Sequence, residues 1–161
     1  MTQFYCIIFL SNKENMRSKF FFQCILPLSF GTLIYLLFRI STLNIFSWVD
    51  ILNIDFEEFY LRKLAISKKQ NFPEWFLYSL PDGLWIFSYV YLILLLWNFK
   101  ISYQSFIWIL IIPFIAIISE IGQKYKFING TFDMTDLLFY IFGFILPLLL
   151  SFENLKFKYY E

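Results

Sequence analysis

The sequence contains no histidine. That removes Ser-His-Asp and Cys-His nucleophile activation and histidine-rich metal sites, so any chemistry falls to carboxylates, tyrosines, lysines or a bound ion. Charge is also scarce: Asp, Glu, Lys and Arg make up 16% of the 161 residues, against roughly 25% in a usual soluble domain. The net charge of +1 offers no clustered basic face of the kind nucleic acid requires, and no nucleic-acid role is expected. There are two cysteines, Cys6 and Cys24, in or near apolar segments and without C-x-x-C spacing. Neither a metal knuckle nor a disulfide framework is indicated, and both read as small buried apolar residues.

What the chain has instead is hydrocarbon. Hydrophobic residues make up 60% of it and aromatic ones 24%, with a mean hydropathy of +0.64. A soluble domain of this size could not hide so much apolar surface, and the composition points to an integral membrane protein. Four uncharged runs stand out, Phe20 to Phe38, Gly83 to Phe99, Ile101 to Ser119 and Leu137 to Phe152, of 19, 17, 19 and 16 residues. A bilayer core takes about 20 apolar residues, within a range of roughly 17–25, and shorter runs can be matched by snorkelling or local thinning. The predicted architecture is all-α, an integral membrane four-helix bundle in a single transmembrane domain over residues 1–161. The alternation expected of a β-barrel is missing.

Outside these runs the chain offers three further readings. Phe4 to Leu10 is too short to span, lacks a basic segment before it and has no small-residue cleavage site after it, so it does not read as a signal peptide. The first 15 residues read either as an over-extended start, with translation beginning at Met16, or as a short interfacial segment. Residues 41–79 form a charged, aromatic extramembrane loop in which Phe56, Phe59, Tyr60, Leu64 and Ile66 follow a loosely helical spacing. That spacing predicts an amphipathic helix lying in the membrane interface between the first two spans. With four spans, six cations fall on one side and seven on the other, so counting them fixes no orientation. The basic flank of the first helix favours both ends in the cytoplasm.

The scarce polarity is concentrated at helix ends. Asp82 opens the second run, Glu120 and Gln123 close the third, and Asp133 and Asp136 open the fourth. Glu120 and Gln123 are three apart and project from one helix face. Asp133, Asp136, Tyr140, Gly143 and Pro147 repeat at intervals of 3, 4, 3 and 4, a single helical stripe, and Asp82, Trp85 and Tyr89 make a similar one. An ionised carboxylate near hydrocarbon is normally paired, hydrated or bound to something. Up-and-down threading brings the start of the second span, the end of the third and the start of the fourth to the same membrane face. The candidate ligand-binding residues are therefore Asp82, Glu120, Gln123, Asp133, Asp136 and Tyr140. Capping is the plainer reading for three of them: Asp82 after Pro81 as a helix N-cap, and Asp133 and Asp136 at the start of the last helix, where negative charge suits the dipole. Glu120 is different, because the C-terminal end of a helix does not favour a carboxylate.

The string Glu120-Ile-Gly-Gln123, a basic loop and then "GTFDMTDLLFYIFG" resembles the C-terminal signature of VanZ-like membrane proteins. That signature runs approximately E-x-x-Q, a short loop, then R-x-x-D-x-x-D-x-x-x-N-x-x-G. "LPDGLWIFSYV", Leu80 to Val90, echoes a second family element, an Asp followed by a His and aromatics. Glu120, Gln123, Asp133, Asp136, Gly143 and Asp82 match. Gly130 stands where the arginine is expected, Tyr140 where the asparagine is, and Ile86 about where the histidine is. A family of uncharacterised membrane proteins, DUF2809, with a similar E-x-x-Q and paired-Asp turn, is a second candidate. The VanZ-like resemblance implies a multi-pass protein of the bacterial cytoplasmic membrane with an association to glycopeptide resistance. It implies a place in the cell envelope and not a reaction.

Three functions compete. The first is binding, without catalysis, of a polar headgroup, a divalent cation or a partner helix by the carboxylate and amide cluster at the membrane face. The second is a metal-dependent enzyme acting on a lipid-linked phosphate, which has no longer aspartate run to support it. The third is a small transporter subunit, which four spans would serve only as an oligomer. The sequence identifies no cofactor and no dedicated metal ligands.

Overall fold

The computed structural model describes residues 16–39 and 60–157. Its described residues form six helices: α1 (Met16–Phe38), α2 (Tyr60–Ser67), α3 (Glu74–Leu77), α4 (Ser79–Leu96), α5 (Tyr103–Lys124) and α6 (Met134–Leu150). Single turns of tighter helix and one two-residue ladder complete them. The segment Phe4 to Leu10, with Cys6, lies outside the described residues, as do Phe56 and Phe59 of the predicted amphipathic helix.

Three of the helices, α1, α4 and α5, are long and apolar enough to cross a membrane, and α6 is apolar but shorter at 17 residues. By length and hydropathy the chain is thus a multi-pass membrane protein. The boundaries differ from those drawn around uncharged runs. α4 begins at Ser79 and ends at Leu96, where the run predicts Gly83 to Phe99. α5 continues through Glu120 to Lys124, and α6 stops at Leu150. Cutting a span at its first charge fails here because Asp82 and Glu120 lie inside helices and turn toward the bundle.

Helix ends follow local chemistry. α5 starts at a capping box in which the Ser102 and Ser105 side chains accept each other's backbone N–H. At the end of α4 the Phe99 N–H bonds the Leu94 carbonyl at 2.7 Å and the Asn98 N–H bonds that of Leu95 at 2.9 Å. With Asn98 left-handed at φ 50, this is a Schellman closure. α5 closes the same way, Phe127 on Gly122 and Lys126 on Gln123, with Lys126 at φ 60. α1 carries a wider, π-type turn over Phe21–Ile25 just before Pro27. The proline leaves a carbonyl of the preceding turn without its N–H partner, and such irregular turns accommodate the loss.

α4 is the central helix. It packs on α1, α5 and α6, and its Val90, Leu94 and Ile86 lie in the main apolar core. Two approaches are too close for side chains. A Cβ at Gly143 of α6 would strike the Gly83 carbonyl of α4, and a Cβ at Gly31 of α1 would meet the Pro81 carbonyl at 3.0 Å. Small residues let helix backbones meet in this way inside membranes. By contrast, α1, α5 and α6 leave large apolar side chains such as Leu33, Phe114 and Leu149 exposed.

Beyond α6, Lys156–Phe157 pairs in parallel with Lys100–Ile101, the connection between α4 and α5. This short ladder is an addition to the all-α expectation, and it returns the end of α6 to the point where α5 begins.

α2 docks through its polar side. Arg62 is 4% exposed, and its guanidinium donates to the carbonyls of Leu36 and of Arg39, the latter at 2.7 Å. It therefore supplies donors and positive charge to the C-terminal carbonyls of α1, where a helix has both groups unsatisfied and a negative dipole end. The predicted division of charges on one side and hydrocarbon on the other is corrected at this residue: Arg62 points into the protein and Tyr60, Leu61 and Leu64 point out.

Candidate functional site

At one end of the bundle the last turn of α1, the first turn of α4, the end of α5 and the start of α6 come together. α3 leads into α4 through Tyr78, whose φ of −113° and ψ of −48° bend the chain. Asp82 consequently lies within the first turn of α4 and not at its N-cap, a correction to the capping reading.

Glu120 is 3% exposed, and its Oε1 accepts the backbone N–H of Asp133 at 2.6 Å. Asp133 is itself the N-cap of α6. Its Oδ1 accepts the Thr135 N–H and the Thr135 hydroxyl, each at 2.8 Å. The Thr135 hydroxyl oxygen lies 2.9 Å from that of Ser79, which is fully buried. Since the Thr135 proton is given to Asp133, Ser79 is the donor in that pair, and the chain Ser79, Thr135, Asp133 ties α4 to α6.

This arrangement has a consequence for Asp136, which occupies the third position of α6. In a capping box an acid there reaches back to the N-cap N–H. Here Glu120, from another helix, has taken that donor. Asp136 is left with a buried Oδ1 that has no hydrogen-bond partner. Asp82, Glu120 and Tyr140 lie near enough to interact with it electrostatically.

The structure therefore brings Asp82, Glu120, Asp136 and Tyr140 into one electrostatic neighbourhood built from α4, α5 and α6. Asp133 stands at its edge and is spent on capping. Gln123 is placed elsewhere: its amide lies over Gly130, and a Cβ on that glycine would fall 2.6 Å from the Gln123 Oε1. Among the described residues no three His, Cys, Asp or Glu side chains are gathered as a metal-ligand set.

Arg39 is the member that sequence reasoning missed. Its guanidinium lies over the rings of Tyr35 at 5.3 Å and Tyr78 at 4.9 Å, and its positive charge acts on Asp82. Its Nε is buried without a hydrogen-bond partner. The available signal was its position, a lone cation directly after the first apolar run.

Two departures from the VanZ-like signature have structural meaning. Gly130, at the arginine position, has φ +152° with Gln123 packed against it. Ile86, at the histidine position, is 4% exposed and lies against Gly143 in the contact between α4 and α6. Compared with known proteins, the chain matches no family model, no curated protein and no solved structure.

Proposed function

We propose that the chain is a four-span membrane protein of the bacterial cell envelope that binds a positively charged group, the ammonium of a lipid headgroup, at the face where Asp82, Glu120 and Asp136 meet. The observation that carries this reading is the excess of carboxylate over cation in a partly buried setting. Three acids from three helices face one arginine, and Asp136 retains an unpartnered buried oxygen. Buried charge is expensive unless paired, and a cationic ligand supplies what the protein leaves out.

Four crossings are supported by the ladder between Lys100–Ile101 and Lys156–Phe157. The chain leaves through α5 and comes back beside its starting point through α6, so a crossing by α5 demands one by α6. α2 serves as the interfacial helix, with Tyr60, Leu61 and Leu64 outward. The resemblance to VanZ-like proteins supports the cell-envelope placement and leaves a link to glycopeptide resistance as part of the same proposal.

The test is thermal unfolding of purified protein in lipid nanodiscs. Phosphatidylethanolamine, compared with phosphatidylcholine, probes an ammonium that can donate hydrogen bonds, and added Mg²⁺ or Ca²⁺ is the contrasting bare cation, expected to give no comparable gain. A ligand at a hundred times its Kd stabilises by about 2.7 kcal/mol. The Asp82→Asn/Asp136→Asn variant is expected to lose that gain while remaining folded. A wild-type protein that phosphatidylethanolamine does not stabilise, or a double variant that keeps the whole shift, overturns the proposal.

A further inference from the structure

We propose that the same end of the bundle carries a second, separate surface, for anionic phospholipid headgroups, formed by α2 and the turn between α5 and α6. The two segments lie at one end because Arg62 holds α2 on the last carbonyls of α1, while Glu120 and Asp133 hold the turn beside the first turn of α4. Arg62, Ala65 and Lys69 form the stripe of this segment that turns toward the protein. Outward it presents Tyr60, Leu61 and Leu64 together with Lys63 and Lys68.

The turn is a rigid presenter. The Schellman closure pins Lys126 and Phe127 by backbone hydrogen bonds to Gln123 and Gly122. The residue in the Phe127 position of such a closure commonly packs back on its own helix. Here the facing position is Gly122, which has no side chain to receive it, and Phe127 is 87% exposed beside an exposed Tyr125. A fixed, outward aromatic at the end of a membrane-length helix suits the bilayer interface, where aromatic rings concentrate.

Charge selects the lipid. Residues 60–71 contain Arg62, Lys63, Lys68 and Lys69 and no acid, and residues 124–128 contain Lys124 and Lys126 and no acid. Arg62 is spent on α1, while Lys69 and Lys124 lie over the rings of Tyr78 and Phe132 at 5.3 and 5.2 Å. Lys63, Lys68 and Lys126 remain exposed beside exposed hydrocarbon. α2 packs on the membrane-length α1, and the exposed Ile118 and Ile121 of α5 lead directly into the turn, which makes the occupant a lipid leaflet and its headgroups negatively charged. The inference does not rest on the carboxylate cluster, whose partner has the opposite sign.

The experiment reconstitutes the full chain in nanodiscs of equimolar phosphatidylglycerol and phosphatidylcholine and measures by native mass spectrometry which lipids stay bound. The wild type is expected to retain phosphatidylglycerol several-fold over phosphatidylcholine at low salt. Each lysine near the surface contributes roughly fivefold to the attraction. Lys63→Gln/Lys68→Gln/Lys126→Gln, all exposed positions, is expected to bring the ratio near one. About 1 M salt, with a Debye length of about 3 Å, should do the same to the wild type and decides the matter if the triple variant does not fold. Parity in the wild type at low salt, or a preference unmoved by both the substitutions and salt, overturns the proposal. A dimer in phosphatidylcholine alone that shields these lysines from acetylation overturns it as well, in favour of a second copy as the occupant.

Discussion

The Glu120 carboxylate receives the backbone N–H of Asp133 at 2.6 Å, so an acid near the end of one helix takes the first donor of the next. This contact separates two roles that one residue performs. Glu120→Gln keeps an oxygen acceptor, whereas Glu120→Ala leaves a backbone donor unpaired, at about 1–3 kcal/mol. Thermal unfolding in detergent should show a clear loss for alanine and a small change or a gain for glutamine. Only binding of a cationic ligand should be weakened in both.

Arg62 joins α2 to α1 through two carbonyls. A lysine cannot reproduce that planar fork, so Arg62→Lys should behave much like Arg62→Gln. Hydrogen bonds to charged groups contribute about 1.5–3 kcal/mol, and a loss of this size is expected. Limited proteolysis should locate it, with cleavage rising around residues 60–69 well before α4 to α6 open.

Gly143 and Gly122 make a contrasting pair. The first faces the Gly83 carbonyl, which is backbone and cannot move aside, while the second faces the end of the Ile128 side chain, which can turn. Gly143→Ala is expected to cost about 1–3 kcal/mol through overpacking. Gly122→Ala is expected to be near neutral. The order of the two unfolding temperatures checks the close crossing of α4 and α6.

Gly130→Arg supplies the residue that the VanZ-like signature carries at the corresponding position and should nevertheless harm the protein. The position has φ +152° and lies under Gln123, and non-glycine residues in such conformations cost about 1–3 kcal/mol. Adding Gln123→Ala removes the collision but not the backbone strain. A partial recovery of the unfolding temperature in the double variant is the expected result.

The sequence makes the four apolar helices legible, and the 3, 4, 3, 4 spacing from Asp133 to Pro147 points one stripe of α6 inward, where Gly143 and Pro147 are indeed buried. It also identifies the end at which Asp82, Glu120 and Asp136 meet. It does not divide the labour between Asp133 and Asp136, because that depends on which donor a residue of another helix has already taken. Gln123 shares a helix face with Glu120 by spacing, yet the left-handed turn after α5 carries Gly130 under its amide. Arg39 and Arg62 resemble ordinary flanking cations in one dimension, and their use appears only when α1 ends beside Tyr78 and α2 folds back. The two-residue ladder is shorter than any periodicity can reveal.

The unequal lengths of α5 and α6 have a consequence for the membrane. Without the charged turns around Glu120 and Asp136, the apolar parts run from Tyr103 to Ser119 and from Leu137 to Leu150, 17 and 14 residues, which at 1.5 Å per residue span about 26 and about 21 Å. Neighbouring walls of a single bundle then ask for different hydrocarbon thicknesses, and the ladder keeps the two helix ends level on one side. With α6 as the proposed fourth crossing, the difference is absorbed by a tilt of α5 or by a dimple in the leaflet next to α6. A protein shaped in this way distorts its surroundings asymmetrically and would gather in thinner patches of bilayer with its α6 flank leading.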